Sequence, residues 1–449
     1  MIHKIKLKIV SVKLKHLRIN IPVLMRFLHW KHIAIGCFLV ITFSCKKEDS
    51  ISTTSENIKW IRVLEDSLLF STDDEMYLGT NGKVITDPDD NIYVYYYSKD
   101  LDQAVVRKFD SEGTPVWKKL FDNCKPLDMV RLNDGNIILA TSITKQLPNY
   151  LTLYSINTNG NIETKNDTIK DFIFGCKELL NASILPMPDN SFIISGVWNA
   201  FLSGTNSASN DTRIYIIKHS QFQQREWSQY LAFCFTCPYS VTVPSDPSGA
   251  SSVIQTNTGQ YLFQFAFNAD ENGTDNHSIL TGLLNADGVP DTSFIYSTGI
   301  YNRYCNGFIP DYFGDYIYHY SSPRFGGHSS QPVPAGFLRI GQDAEIKDTI
   351  PLSIPSDHRI VSCTKGNSGF LLTTYKVGVA NGGSDYTGEH TLFLRGGTDW
   401  RATQKYTFQE FYSDFFFSHA PVSDGGFISL GRIQSFNGPV NKLMLVRWE

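Results

Sequence analysis

Charged residues are scarce in this sequence, and positive charge is not in excess. Of its 449 residues only 19% are Asp, Glu, Lys or Arg, and the formal net charge is −4. A nucleic-acid-binding protein usually carries a basic patch that neutralises phosphates. The composition therefore argues against nucleic acid as a partner.

Long amphipathic helical patterns are also missing. The sequence is instead rich in Gly, Asn, Asp, Ser, Thr and Tyr, with 13% aromatic and 42% hydrophobic residues. This mixture is typical of turn-rich, all-β proteins. The apolar fraction over this length is enough to bury one large core or two ordinary ones.

Familiar catalytic motifs are absent as well: the chain has no Gly-x-Ser-x-Gly, no His-Glu-x-x-His and no phosphate-binding loop. Two acidic stretches, TDPDDN (Asp87, Asp89, Asp90) and STDDE (Asp73, Asp74), offer carboxylate oxygens for Ca²⁺ but lack EF-hand spacing. A hairpin turn explains the first stretch better. No metal site is predicted.

One hydrophobic run is present, but it is short. From Met25 the chain reads MRFLHWKHIAIGCFLVITFSC, in which Arg26 and Lys31 precede or flank the apolar run Ile33–Phe43. That run has about a dozen residues, whereas a membrane-spanning helix needs roughly 20. It fits the hydrophobic region of a secretory signal.

The residues after this run carry a resemblance. Ser44 and Cys45 resemble a bacterial lipobox, and the next four residues resemble the export signal of surface-exposed lipoproteins of the Bacteroidota: Lys46, Lys47, Glu48 and Asp49. The resemblance implies a lipid on Cys45, attachment to the outer membrane through that lipid alone, and exposure at the cell surface. The alternative is an ordinary polar tether that begins with a chance cluster of charges.

These features divide the chain into three parts. Residues 1–44 are the predicted leader and signal peptide, with Met25 as an alternative start; residues 45–56 are the lipidated cysteine and a polar tether. The fold is expected over residues 57–449.

A hairpin signal recurs through this last part. An apolar strand is followed by a turn of Asp, Asn and Gly and by a second strand that opens with an aromatic or aliphatic residue, as in RLNDGNIILAT and APVSDGGFISLGR. The seven opening residues are Ile92, Ile137, Phe192, Tyr261, Tyr316, Phe370 and Phe427. Their mean spacing of about 56 residues lies in the range of large propeller blades.

A second tight turn follows each of the first six hairpins, as in LYSINTNGNIETK, so each unit is predicted to have four antiparallel strands. The seventh unit stops at KLMLVRWE, before its fourth strand. NIKWIRVLED, from Asn57, is similar to TPVWKKLFDN of the first unit, with Trp60 matching Trp117. Residues 57–65 are therefore predicted to complete the seventh unit and close the ring. Six or eight blades would require one signal to be miscounted.

The whole of this part resembles secreted seven-bladed β-propeller lipoproteins with Asp-Gly-Gly-Phe-like hairpins. The predicted fold is thus an all-β, seven-bladed β-propeller, closed by an N-terminal strand and preceded by a lipoprotein signal peptide. Propellers host enzymes, ligand binders and assembly platforms, so the resemblance is specific for fold and not for function.

Long connections are predicted on one face of this propeller. The tight turns of each blade share one face, and the insertions collect on the other: Asn199–Asp211, Leu231–Ala250, Asn268–Asn276, Ser321–Ala335 and Gly378–His390. Aromatic rings can stack on sugars, and Arg offers a forked donor. The candidate ligand-binding residues are Trp198, Phe235, Tyr239, Tyr301, Arg303, Tyr304, Arg324, Phe325, His328, Tyr386 and Tyr412. The alternative is that these side chains pin long loops to the rim.

Six cysteines lie in the predicted fold, and an even number in an exported protein indicates disulfides. Fifteen pairings are possible. The predicted pairs are Cys124–Cys176, Cys305–Cys363 and Cys234–Cys237. CFTC as half of a zinc site would need a second pair of ligands, and no matching motif is visible.

Three functions stay open. The first hypothesis is a non-catalytic module that binds a glycan or an envelope protein through the long connections, as a monomer and without a cofactor. The second is a polysaccharide hydrolase or lyase with acids at the channel mouth. Its candidates are His319 and His419, in predicted inner strands, beside acids such as Asp311 or Asp414. The third is a structural platform in an envelope complex.

Overall fold

The computed structural model shows an all-β propeller. It describes residues 58–68, 82–98, 101–143, 151–167, 176–200, 211–221, 224–232, 240–242, 251–271, 274–291, 295–298, 308–311, 314–320, 336–352, 358–365, 370–377, 386–396, 399–407, 414–434 and 441–449. All of them belong to the second of the two units into which the chain divides, Thr53–Glu449.

The described residues form seven antiparallel sheets, which we call blades 1 to 7. Blade 1 contains β2 (Gly82–Thr86), β3 (Ile92–Ser98), β4 (Gln103–Phe109) and β5 (Pro115–Asp122). Blade 2 contains β6 (Cys124–Arg131), β7 (Ile137–Ile143), β8 (Leu151–Ile156) and β9 (Ile162–Asp167). Blade 3 contains β10 (Cys176–Pro186), β11 (Phe192–Ala200), β12 (Asp211–His219) and β13 (Arg225–Ala232).

The remaining blades follow in chain order. Blade 4 contains β14 (Ser240–Thr242), β15 (Ser251–Gln255), β16 (Tyr261–Glu271), β17 (Thr274–Leu284) and β18 (Ile295–Thr298). Blade 5 contains β19 (Ile309–Pro310), β20 (Tyr316–Tyr320), β21 (Gly336–Ile340) and β22 (Ile346–Pro351). Blade 6 contains β23 (His358–Lys365), β24 (Phe370–Val377), β25 (Tyr386–Gly396) and β26 (Asp399–Thr407). Blade 7 contains β27 (Asp414–Pro421), β28 (Phe427–Gln434), β29 (Asn441–Trp448) and β1 (Ile58–Leu68).

The predicted repeat and its closure are confirmed. All seven predicted opening residues are the first residues of the second strands, β3, β7, β11, β16, β20, β24 and β28. β1 pairs antiparallel with β29, from Ile58 opposite Trp448 to Leu68 opposite Asn441. The N-terminal strand therefore supplies the outer strand of blade 7.

The hydrophobic core lies between blades, because successive side chains of a strand point to opposite faces of its sheet. One cluster joins Leu64 and Leu430 of blade 7 to Val84 and Val105 of blade 1. Similar clusters join blades 1 and 2, blades 2 and 3, blades 4 and 5, and blades 5 and 6. Each apolar side chain removed from water contributes about 1.5–3 kcal/mol to stability.

At one recurrent position of the inner strand, a polar side chain accepts a hydrogen bond from the backbone of the next blade. The Ser418 hydroxyl of blade 7 accepts from Val84 N of blade 1 at 3.0 Å. Ser252 of blade 4 accepts in the same way from Phe308 N, just before β19, at 3.1 Å. Asp128 occupies this position in blade 2 and accepts more hydrogen bonds. Its carboxylate accepts from Ile184 N of blade 3 at 2.7 Å, from Met129 N at 2.8 Å and from Lys83 Nζ of blade 1 at 2.6 Å.

Outer strands are held by tryptophans that lie on glycines of the next blade. Trp60 of blade 7 contacts Gly113 of blade 1, Trp117 of blade 1 contacts Gly160 of blade 2, and Trp227 of blade 3 contacts Gly288 of blade 4. Each of these glycines has a φ between 76° and 81°, and a Cβ there would lie 2.5–3.0 Å from the indole. The position thus needs glycine for both its φ and its space.

Blade 4 corrects one predicted loop. Asn268–Asn276 was expected to be an insertion, but β16 and β17 continue as a hairpin that pairs as far as Glu271 opposite Thr274. β14 pairs with the same extension, with Val241 opposite Ala269. The Asn, Asp and Gly residues correctly predict a turn between these strands. They do not predict how far the two strands extend towards that turn.

Candidate functional site

The two faces of the ring differ in construction. We call tight-turn face the side formed by the short turns within blades, at 87–91, 110–114, 132–136, 157–161, 187–191, 220–224, 256–260, 285–289, 311–315, 341–345 and 422–426. We call long-loop face the opposite side, where the strands on either side of the other connections end, as at Ser98 and Gln103 in blade 1, Ala200 and Asp211 in blade 3, and Tyr320 and Gly336 in blade 5.

Turns of the tight-turn face are closed by their own side chains. Asp110 Oδ1 accepts from Glu112 N at 3.0 Å and from Thr114 N at 2.7 Å. Asn157 repeats this geometry in blade 2 and Asn285 in blade 4. Because Asp and Asn side chains bond the backbone two and four residues on, each turn satisfies its own polar groups.

TDPDDN, once a candidate for calcium, is used in the same way. Asp87 is buried, and its Oδ1 accepts from Asp89 N at 3.0 Å and Asn91 N at 2.9 Å. Its Oδ2 accepts from Tyr93 OH at 3.1 Å. Burial and the Asp87 carboxylate raise the pKa of Tyr93. STDDE lies outside the described residues. Within the described part of the chain, no group of three or more His, Cys, Asp or Glu is arranged to hold a metal ion.

Neighbouring turns of this face are also bonded to one another. Asp90 of blade 1 accepts from Ser423 N of blade 7 at 2.8 Å, and Asn190 of blade 3 accepts from Asp134 N of blade 2 at 2.9 Å. Arg339 Nε donates to Asp315 Oδ2 at 2.7 Å within blade 5. Many backbone and side-chain groups of these turns are therefore hydrogen-bonded within the protein.

Most of the predicted ligand-binding residues lie outside the described residues: Phe235, Tyr239, Tyr301, Arg303, Tyr304, Arg324, Phe325, His328 and Tyr412. Two are placed by their backbone. Trp198 lies in β11 opposite Leu179 of β10 and Arg213 of β12, near the end of the strand. Tyr386 is the first residue of β25, opposite Val377. Both therefore lie at strand ends that border the long-loop face.

A described part of this face, at the rim of blades 1 and 2, was not predicted as a site. Tyr97 OH donates to Asp102 Oδ1 at 2.7 Å, and Lys125 Nζ lies 5.8 Å from the centre of the Tyr97 ring. Burial and Asp102 raise the pKa of Tyr97. Leu101 beside them is 52% exposed. Sequence reasoning missed this group because it looked for sites only in long insertions, and the loops here are short.

Cysteines of the fold are described in part. Cys124 and Cys363 are buried, and no disulfide is formed between the cysteines whose side chains are described. Cys124 Sγ lies 3.1 Å from Asp122 O. The backbone of Cys176 opens β10, while Cys234, Cys237 and Cys305 lie outside the described residues. Every predicted pair includes such a cysteine, so the three pairs stay predictions.

The channel histidines of the enzyme hypothesis need correction. His419 is in the inner strand β27 as predicted, but it is buried between blades 6 and 7. Its Nε2 is 2.5 Å from Thr373 Oγ1 and its Nδ1 is 2.8 Å from Ser429 Oγ. Burial lowers the pKa of His419 to about 3, so the ring is neutral. His319 is in β20, the second strand of blade 5, opposite Phe337.

The acids proposed beside these histidines do not form a described pair with them. The Asp311 carboxylate is inaccessible to solvent, and its Oδ2 is 4.0 Å from Arg339 Nε. Asp414 begins β27, with its backbone opposite Ile433. His419 therefore contributes to the packing between two blades, whereas the side chains of His319 and Asp414 lie outside the described part of the structure.

No family model matches the chain, and no curated protein matches it significantly. Solved structures with a similar arrangement of strands include the polysaccharide lyase Uly1, with 9% identity, a TM-score of 0.48, and coverage of 88% of this chain and 99% of that one. Another is the β-propeller domain of the Trilobed protease from Pyrococcus furiosus, with 5% identity, a TM-score of 0.42, and coverage of 83% and 94%. A third is an endo-arabinase from Bacteroides thetaiotaomicron, with 12% identity, a TM-score of 0.35, and coverage of 61% and 94%.

Proposed function

We propose that this protein is a lipid-anchored β-propeller of the outer membrane that binds a glycan or an envelope protein through its long-loop face, without catalysis. In this proposal Cys45 carries the lipid, and the residues KKED direct the protein to the cell surface. Within the described residues no helix is long and apolar enough to cross a bilayer.

The contrast between the two faces carries the proposal. Turns of the tight-turn face bond to themselves and to their neighbours, so the groups that make these bonds are used within the fold. Connections of blades 3 and 5 on the other face are long, as between Ala200 and Asp211 or Tyr320 and Gly336. Binding residues concentrate on loops that a rigid scaffold positions. Trp198 and Tyr386, at strand ends beside these loops, are the aromatic residues that we expect to contact the ligand.

A panel of polysaccharides tests the proposal. The full chain is applied to each immobilised glycan, and both retention of the protein and release of oligosaccharide are measured. We expect retention without release. Trp198→Ala and Tyr304→Ala should each weaken retention. The matched control is Tyr230→Ala, because Tyr230 is an exposed aromatic of the outer strand β13.

The outcomes separate the three hypotheses. Released oligosaccharide contradicts the non-catalytic proposal and favours an enzyme. If no glycan is retained, cross-linking in the native envelope decides between a protein ligand and none. A cross-linked partner that is lost in the Trp198 variant but kept in the Tyr230 variant supports binding through the long-loop face, whereas loss in neither variant contradicts it.

A further inference from the structure

The first strand of the ring begins at the tight-turn face. Ile58 is opposite Trp448, and Trp448 is also opposite Phe427, the residue that directly follows the turn 422–426. Trp60 lies against Gly113, in the outer tight turn of blade 1. Whatever precedes Ile58 in the chain is therefore joined to the propeller at the edge of this face, between blades 7 and 1.

Side chains fix this starting point. Arg62 donates through Nε to Gly113 O at 3.3 Å and through Nη2 to Glu112 O at 3.4 Å. Lys59 Nζ is 3.7 Å from Glu112 Oε1. The beginning of β1 is thus bonded both to β29 and to a turn of the adjacent blade, so its direction is set by the fold.

From this geometry we infer that the tight-turn face is turned towards the membrane and that the long-loop face is turned away from it. The inference rests on the lipid at Cys45 in the proposed function. Residues 46–57 separate Cys45 from the ring, and a segment of this length spans at most about 43 Å even when fully extended. Eight-residue strands such as β5 extend about 26 Å from face to face. A segment that also had to pass along a blade to the long-loop face would use more than half of this length, which favours anchoring on the side where the chain joins the ring.

Charge on the tight-turn face indicates how it meets the lipid. Its exposed carboxylates Glu112, Asp343, Glu345 and Asp424 are each paired with a cation, which is Lys59, Lys347 or Arg447. Because these charges are paired, they form no basic patch to which anionic headgroups would bind. The face is accordingly held near the membrane by the tether without adsorbing to it, and the ligand-binding face is left open to the exterior.

Energy transfer from two positions of the same blade tests this orientation. Asp89 is exposed on the tight-turn face of blade 1, and Leu101 is exposed on its long-loop face. An azide-bearing amino acid is placed at one position or the other in the full lipoprotein, and a donor dye is attached to it. The protein is reconstituted into vesicles of phosphatidylcholine and phosphatidylglycerol that contain an acceptor-labelled lipid.

We expect a several-fold higher transfer rate from position 89 than from position 101. Lengthening the tether with a Gly-Ser segment after Ser50 should reduce the difference. Equal transfer from the two positions, or stronger transfer from position 101, overturns the inference.

A second anchor separates this inference from the proposed function. A hexahistidine segment in place of Cys45 attaches the same tether to a nickel-chelating lipid. If mass spectrometry finds no acyl group on Cys45, the lipid anchor of the proposed function is wrong, and the chelate-anchored protein alone decides the orientation. If position 89 is proximal but no ligand is found, the orientation stands and the binding function fails.

Discussion

The tight-turn face and the long-loop face belong to the same strands, yet they restrict the chain to different degrees. On the tight-turn face, Asp110, Asn157 and Asn285 impose one turn geometry in three blades. On the long-loop face, the corresponding connections range from the single residue Asn123 to residues 321–335. The repeat therefore specifies the scaffold and the tight-turn face, and leaves the connections of the other face free to vary in length.

Acid should produce the largest change in stability, because it acts on His419 in the core between blades 6 and 7. The pKa of His419 is lowered from an ordinary 6.5 to about 3 in the folded protein. The unfolded chain then binds more protons between these values, so His419 makes the folded state lose stability as the pH falls from 6.5 to 3. The slope approaches 1.4 kcal/mol per pH unit, or about 4–5 kcal/mol in total.

Urea denaturation of the wild type and of His419→Gln, at several pH values, measures this contribution. The glutamine variant removes the titrating group and should show a shallower loss of stability with acid. Parallel curves for the two proteins would contradict the placement of His419.

Removing the hydrogen bonds between neighbouring inner strands should have the next largest effect on stability. Asp128→Ala removes the carboxylate that accepts from blades 1, 2 and 3, and it leaves Met129 N and Ile184 N without that partner. We expect a loss of about 3–5 kcal/mol in the free energy of unfolding. Ser418→Ala removes one such bond and should cost about 1–3 kcal/mol. Equal losses in urea denaturation would show that the three-blade arrangement adds nothing.

Two glycines of the tight-turn face sharpen the comparison further. Gly288 and Gly259 have φ values of 81° and 82°, but only Gly288 lies under a tryptophan. Ala344, in the equivalent turn of blade 5, has a φ of 65°, so alanine fits this kind of turn when no indole covers it. Gly259→Ala should cost about 1–2 kcal/mol. Gly288→Ala should cost a further 1–3 kcal/mol from overpacking.

Thermal denaturation of these variants, with Gly288→Ala also made in a Trp227→Leu background, isolates the contact. The additional cost at Gly288 should largely disappear when the indole is gone. A cost that persists in the double variant would place its origin in the backbone.

The smallest effect on stability is expected on the long-loop face. Tyr97→Phe removes one hydrogen bond to Asp102 and should cost about 0.5–1.5 kcal/mol. The change is readily measured by thermal denaturation beside the Gly288 variant. A loss that matches or exceeds that of Gly288→Ala would mean that this rim is as constrained as the tight-turn face.

The fold could be predicted from the sequence because each hairpin is specified by residues close together in the chain. Contacts between residues far apart in the chain could not be predicted. Each hairpin places Asp, Asn or Gly within five residues of the strand it starts, so Ile137 and Phe427 were located correctly. Trp60 was matched to Trp117 by pattern, and the two do occupy the same position on successive blades.

Contacts between blades could not be read in this way. Asp128 and Ile184 come from different repeats. The hairpin sequence RLNDGNIILAT does not indicate that the Asp128 carboxylate, just before it, accepts a hydrogen bond from the next blade. His419 looked like a channel residue because an inner strand was assumed to point inward, whereas its side chain points at blade 6. The candidate site was predicted only as a region, since long loops follow no repeat.

The pairing of β1 with β29 also has a consequence for biogenesis. Ile58 leaves the ribosome long before Trp448, its partner, has been made, so the first strand synthesised is the last to find its place. Pairing at such separation is intrinsically slow. The ring should therefore stay open until the last strand has been made, and blade 7 should be the last blade to be completed.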